Sequence, residues 1–232
     1  MQGLKQKARV FGAEAERFHS REALAEAASF LSRIESRRRA YRPDAMALTP
    51  LQQKLANEIE EAFAGVHCHQ EERVLLSGEA EDDYVSKEAQ AVLAMHEERD
   101  DWHAIPDDLL FACSFSLSYA GPEAYRFLLP RFMTGTLHGV VETYPGCKPD
   151  DKYIDYMREQ MQLLSPAQQQ CLTDFLNLDR VDEDEHASFG RNVFLPWELD
   201  EYAAHFAGKL SYREYGALLV KRYATRMGLT DT

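Results

Sequence analysis

Apolar residues recur along this chain at alternating steps of three and four, and several of the runs open on complete helix-start signals. Thr49-Pro50-Leu51-Gln52 combines an N-cap hydroxyl, a proline at the first helical position and a glutamine three residues after the cap. Ser165-Pro166-Ala167-Gln168 repeats that arrangement, and Ser211-Tyr212-Arg213-Glu214 is a third box. In each, the hydroxyl accepts from an amide of the first turn while the long polar side chain reaches back to the cap amide, which fixes where the helix begins. The pattern predicts an all-α chain, a compact multi-helix domain of eight or nine helices with an N-terminal helical hairpin and no repeat of fixed period.

Three segments follow from the punctuation. Residues 1–45 read as the hairpin, with Leu4, Ala8, Phe11, Ala15 and Phe18 on one helix and, after Ser20, Leu24, Ala28, Leu31 and Ile34 on the next. Arg33, Arg37, Arg38, Arg39 and Arg42 close the hairpin as a basic cluster before Pro43. Residues 46–178 read as a helical core. Its first helix presents Leu51, Leu55, Ile59, Phe63 and Val66; another opens at Ser86, carries Ala89, Val92, Leu93 and His96, and runs out near Trp102. Arg73-Val74-Leu75-Leu76 reads as a short strand and Glu79–Tyr84 as a turn of helix, and Pro130 is expected to kink or divide the helix that starts at Pro122. Residues 179–232 form an acidic, exposed connection and a C-terminal helix pair packed on the core, ended by Gly228.

Charge narrows the function. The net charge is −13, but residues 1–48 carry a balance of +4 and the remainder −17. A body that negative repels phosphate backbones, so nucleic acid is excluded as its expected ligand, whereas a basic protein partner is attracted and its association accelerated. No run approaches the length of apolar sequence that a membrane span needs, and Met1–Lys7 lacks the apolar stretch of a signal peptide. The four cysteines form no C-x-x-C pair; a cytoplasmic, reducing location is expected.

From Leu51 to about Leu178 the chain resembles an uncharacterised bacterial family, a domain of unknown function numbered 6714. Ile59-Glu60-Glu61-Ala62-Phe63, Leu75–Ala80 with Asp83-Tyr84, and Asp101-Trp102-His103-Ala104-Ile105-Pro106 match its pieces in order. Pro122-Glu123-Ala124-Tyr125-Arg126-Phe127-Leu128-Leu129-Pro130 is similar to the family's P-E-G-F-R-F-Y-L-P box, with Ala124 where the glycine stands, and Leu164-Ser165-Pro166 resembles its closing helix. The resemblance implies a fold and no chemistry.

Candidate chemistry is thin. His67-Cys68-His69 places two imidazoles on one side of an extended segment, too few ligands for a zinc site. His96, Asp100 and His103 are spaced to share a helical face, the basis of an alternative reading as a metal-dependent hydrolase. Arg126 with Glu123 or Asp101 reads as a structural ion pair, and Trp102 as a core anchor. No phosphate-binding, dinucleotide-binding or nucleophile-elbow motif occurs, so no catalytic residue, metal or cofactor is expected. The function expected is a non-catalytic protein-binding module, an immunity-type inhibitor that neutralises a co-produced, nuclease-like toxin through Asp182, Glu183, Asp184, Glu185, Asp82 and Asp83. An oligomerising scaffold that self-associates through residues 1–45 is a further alternative.

Overall fold

The computed structural model describes residues 20–43, 47–69, 72–143, 145–149, 152–182 and 193–229. Among these the protein is all-α, with ten α-helices and two 3-10 turns. The helices are α1 Arg21–Ala40, α2 Pro50–Ala62, α3 Leu75–Asp82, α4 Lys87–Ala94, α5 Asp107–Ala112, α6 Pro122–Leu137, α7 Ile154–Met161, α8 Pro166–Asp182, α9 Pro196–His205 and α10 Tyr212–Met227. The 3-10 turns are Trp102–Ala104 and Ser116–Tyr119. The count exceeds the eight or nine expected, because Leu75–Asp82 is a helix rather than the strand read from Arg73–Leu76. The first hairpin helix, residues 4–18, lies outside the described residues.

The boxes act as their sequences require. Thr49, Ser165 and Ser211 accept from the amides of Gln52, Gln168 and Glu214, whose side chains return to the cap amides at 2.9, 3.0 and 2.7 Å. Gly228 ends α10 with φ +72°, the left-handed conformation that costs glycine nothing.

The chain folds as two compact units, one of residues 1–46 with 65–142, the other of 47–64 with 143–232. In the first, α1 packs on α4 and α5, α3 on α4 and the second 3-10 turn, and α6 on both 3-10 turns. The stripe α1 buries is Ala23, Ala27, Phe30 and Ile34. That is one position round from the expected Leu24, Ala28 and Leu31, which face outward or stand half-buried; the larger Phe30 takes the core side. Helix α6 is continuous through Pro130, so the proline does not divide it. It is buried on nearly every side, and that packing offsets the single hydrogen bond a proline removes. Trp102 and Ile105 are buried beside it.

The second unit packs α8 against α2 and α10, and α9 against α7. Cys147, Phe194, Leu199, Tyr202, Tyr215 and Leu219 form one cluster in it, closed by a single antiparallel bridge between Cys147 and Phe194. Arg180, wholly buried, donates to both oxygens of Glu198 at 3.0 and 2.9 Å and to Asn177, and lies 5.2 Å over the Phe194 ring. Breaking such a pair from one side strands a buried charge.

Two residues of the first unit give measurable consequences. A β-carbon on Gly78 would meet the Ser116 carbonyl oxygen at 3.0 Å, a backbone atom with little freedom to move. Gly78→Ala is expected to lower unfolding stability by about 1–3 kcal/mol in urea titration. Glu79, 1% exposed, has its carboxyl raised by burial from 4.5 to about 7, against the opposing pull of the Phe115 amide and Arg37. A raised acid keeps its proton longer folded than unfolded. The stability it contributes is therefore complete below pH 4.5 and lost as pH rises through about 7. Glu79→Gln removes that titration, so the stability difference should move toward the variant by about 1.4 kcal/mol per pH unit across the window; denaturant melts from pH 4 to 8 check it.

Candidate functional site

An open cleft of about 740 Å³ in the first unit lies between residues 67–69 with 72–73, helix α4 and the chain that leaves it. Its inner wall is built by one ion pair. Helix α3 starts at Val74, a residue with no side-chain acceptor for the first-turn amides. Ser77 Oγ takes the Val74 amide at 3.0 Å, and Glu97, from beyond α4, takes the Ser77 amide at 2.7 Å and the Val74 amide at 3.3 Å. Burial raises the Glu97 carboxyl above its ordinary value, and Arg99 opposes the rise from 3.0 Å away. The Arg99 guanidinium also donates to the carbonyls of His69, Glu72 at 2.8 Å and Ala94, binding residues 69 and 72 to the end of α4. Its Nε has no partner among the described residues.

The remaining groups are committed too. Glu72 turns away to take the Ala124 amide at 2.8 Å, capping α6 at Gly121, a cap with no side chain. Cys68 is buried and its thiol is pushed up by burial to about 12, which removes the thiolate a nucleophile needs. His67 and His69 are exposed with rings 5.9 Å apart, so the extended segment does place them on one side. No group of three His, Cys, Asp or Glu able to hold a metal ion occurs among the described residues. At the outer edge Glu98 and Asp100 are exposed and carry no ion-pair partner among the described residues; Glu98 accepts only the amides of Asp100 and Asp101, both at 3.1 Å.

The other predicted positions fall differently. Helix α4 stops at Ala94, so His96, Asp100 and His103 share no helical face; His96 is exposed rather than part of the buried stripe. Asp101 caps the first 3-10 turn and holds His103 Nδ1 at 2.8 Å, while Glu123 accepts from the His69 amide, so neither shows the pairing with Arg126 read from the sequence. Asp82 accepts from the Tyr119 hydroxyl at 2.7 Å, and Asp83 is held by Arg37 at 3.0 Å and Arg33 at 3.5 Å. Asp182 is the last residue of α8, and Glu183, Asp184 and Glu185 lie outside the described residues. Sequence reasoning misses Glu97 and Arg99. The available signal is a helix start without Ser, Thr, Asp or Asn, which requires an acceptor from elsewhere.

Arg99→Met leaves Glu97 buried without its cation and is expected to cost about 3–5 kcal/mol in unfolding free energy; adding Glu97→Gln should recover part of the loss, as measured by a double-mutant cycle.

No described helix is long and apolar enough to cross a membrane. No curated protein and no solved structure matches the chain. A family model described as Family of unknown function (DUF6714) matches residues 51–198. The match includes Glu97, Arg99, Glu98 and Asp100, and the segments that begin at Trp102 and Pro122. Spanning well over half of the sequence, it identifies the chain as a member of the DUF6714 family.

Proposed function

We propose that this chain is a non-catalytic protein-binding module whose cleft receives a basic protein partner, and that it serves as an immunity-type inhibitor of a co-produced, nuclease-like toxin. One observation carries the reading. The cleft's nucleophile and its buried charges are consumed by the fold, while the carboxylates of Glu98 and Asp100 stand unpaired at its edge. A site arranged that way offers no thiolate from Cys68, and presents two unpaired carboxylates at an accessible opening, in a chain of net charge −13. A nuclease cleft carries the opposite field, and complementary potentials speed association.

The four cysteines are free thiols, which fits a reducing compartment; a cytoplasmic location belongs to the proposal. The acidic residues Asp182 to Glu185 are proposed as a further negative patch for a basic partner. Asp82 and Asp83 are assigned a smaller share, since Tyr119, Arg33 and Arg37 already occupy them.

Co-purification with the product of the neighbouring gene, followed by calorimetry at low and high salt, tests the reading. Binding is expected to weaken with salt, and Glu98→Lys with Asp100→Lys should raise the dissociation constant about tenfold or more. Absence of any complex at micromolar concentration would sink the proposal, as would an affinity indifferent to both charge reversals.

A further inference from the structure

Two polar atoms of the cleft are left over when the bonds around them are counted. Gln90 on α4 is 3% exposed. Its amide nitrogen donates at 2.7 Å both to Glu81 and to the Val85 carbonyl, which fixes that end as nitrogen, since both neighbours are acceptors. Its oxygen, Oε1, has no partner among the described residues. Arg99 is 8% exposed and spends its terminal nitrogens on Glu97 and three carbonyls, yet its Nε–H has none either. Both residues line the cleft. A buried acceptor or donor without a partner is costly and therefore uncommon. One of each in the same cleft specifies what complements it.

The complement is main chain. A single extended residue presents its own N–H and C=O on one edge, as in the bonded pairs of an antiparallel ladder. A lone cation would serve only Gln90, and a lone anion only Arg99. The rest of the opening sets which side chain such a residue brings. Glu98 and Asp100 line the same cleft with no ion-pair partner among the described residues. Ala91 and Met95 of the α4 side line it too, with Met95 52% exposed. An exposed methionine beside alanine is adaptable apolar surface for the aliphatic stem of a basic side chain whose head reaches the carboxylates. Arginine suits two carboxylates better than lysine does, because its flat fork spreads five donors where an ammonium is a compact point charge.

We infer that the cleft holds an extended segment of the basic partner, one arginine residue of which sets its main chain against Gln90 and Arg99 and its guanidinium against Glu98 and Asp100. This rests on the reading of the cleft as a binding site for a basic protein, and adds which part of that protein enters.

Titration of the full chain with the blocked peptide acetyl-Gly-Arg-Gly-amide, followed by NMR of the methionine methyls and glutamine side-chain amides, tests it without the partner. The Met95 and Gln90 signals should move together and saturate. Replacing the arginine by citrulline keeps the shape and removes the charge, and should raise the dissociation constant about tenfold or more, as should Glu98→Gln combined with Asp100→Asn. Replacing the arginine N–H by an ester oxygen should weaken binding to the wild type about fivefold, and should make no difference to Gln90→Met. The ester changes only the peptide, so its effect on the wild type decides the matter even if Gln90→Met does not fold. Binding indifferent to the ester would overturn the inference. So would no binding at millimolar concentration, and a salt-dependent complex with the neighbouring gene's product would then keep the cleft reading while discarding the segment. Saturable, charge-dependent and ester-sensitive peptide binding supports the inference even where no such complex forms, an outcome that removes the toxin reading alone.

Discussion

The first unit is held in register by carboxylates that satisfy amides at the starts of elements distant in sequence. Helix α3 opens at Val74 without a hydroxyl and is capped by Glu97; α6 opens at Gly121 and takes Glu72; Ser86, at the head of α4, is held through its amide and hydroxyl by Glu26 of α1; the turn after α5 receives Glu79 at the Phe115 amide. A helix N-terminus presents unsatisfied donors and partial positive charge, so an acidic side chain is the natural occupant. A distant acid ties that start to the element that supplies it, which a local serine does not. Each bond therefore specifies tertiary order as well as a helix boundary. The cost is burial of charge, visible in the raised carboxyls of Glu79 and Glu97 and opposed by Arg37 and Arg99.

This use of acids changes what the net charge of −13 means. Counted in the sequence, it describes a basic N-terminal segment followed by a strongly negative body. In the fold, Glu72, Glu79 and Glu97 are spent on amides, while Asp83, Asp107 and Asp108 are taken by Arg37, Arg131 and Arg38. The arginine cluster that ends α1 is the counterpart of these acids rather than a separate basic arm. Exposed pairs of this kind add little stability, but they remove both partners from the long-range field. The excess of negative charge stays on acids outside these pairs, and near the cleft it includes Glu98 and Asp100, which lie in sequence next to the buried Glu97 and Arg99.

What the sequence made legible follows the same division. Features encoded within a few residues were readable: the three capping boxes, Ser86 as a cap, Gly228 as a terminator, and the all-α class. Features set by distant partners were not. Arg73–Leu76 looks like a strand because β-branched and leucine residues sit together without a cap, and only Glu97, more than twenty positions on, makes it the start of a helix. The spacing of His96, Asp100 and His103 is helical arithmetic applied beyond Ala94, where no helix exists to use it. On α1 the periodicity was correct and the phase was not, since Ala23 and Ala27 are apolar enough to sit on either face and the volume of Phe30 decides. Pro130 marks the lost hydrogen bond but not the burial around α6 that makes the loss tolerable.

Perturbed acids and thiols ordinarily point toward chemistry, because catalysis needs groups moved from their solution behaviour and still accessible to a substrate. At the buried acids and thiols of the first unit the two requirements do not meet. Glu79, Glu97, Cys68 and Cys113 are shifted mainly by burial, and each is enclosed by the core or by amides and guanidinium groups of its own chain. The carboxylates left open at the cleft, Glu98 and Asp100, are solvated at the edge. Exposing Glu79 or Glu97 would require its long-range contact to open, and since those contacts also fix the order of the helices, the surface around the acid would come apart with it. The feature that makes the fold specific thereby takes these acids out of reach of anything at the surface.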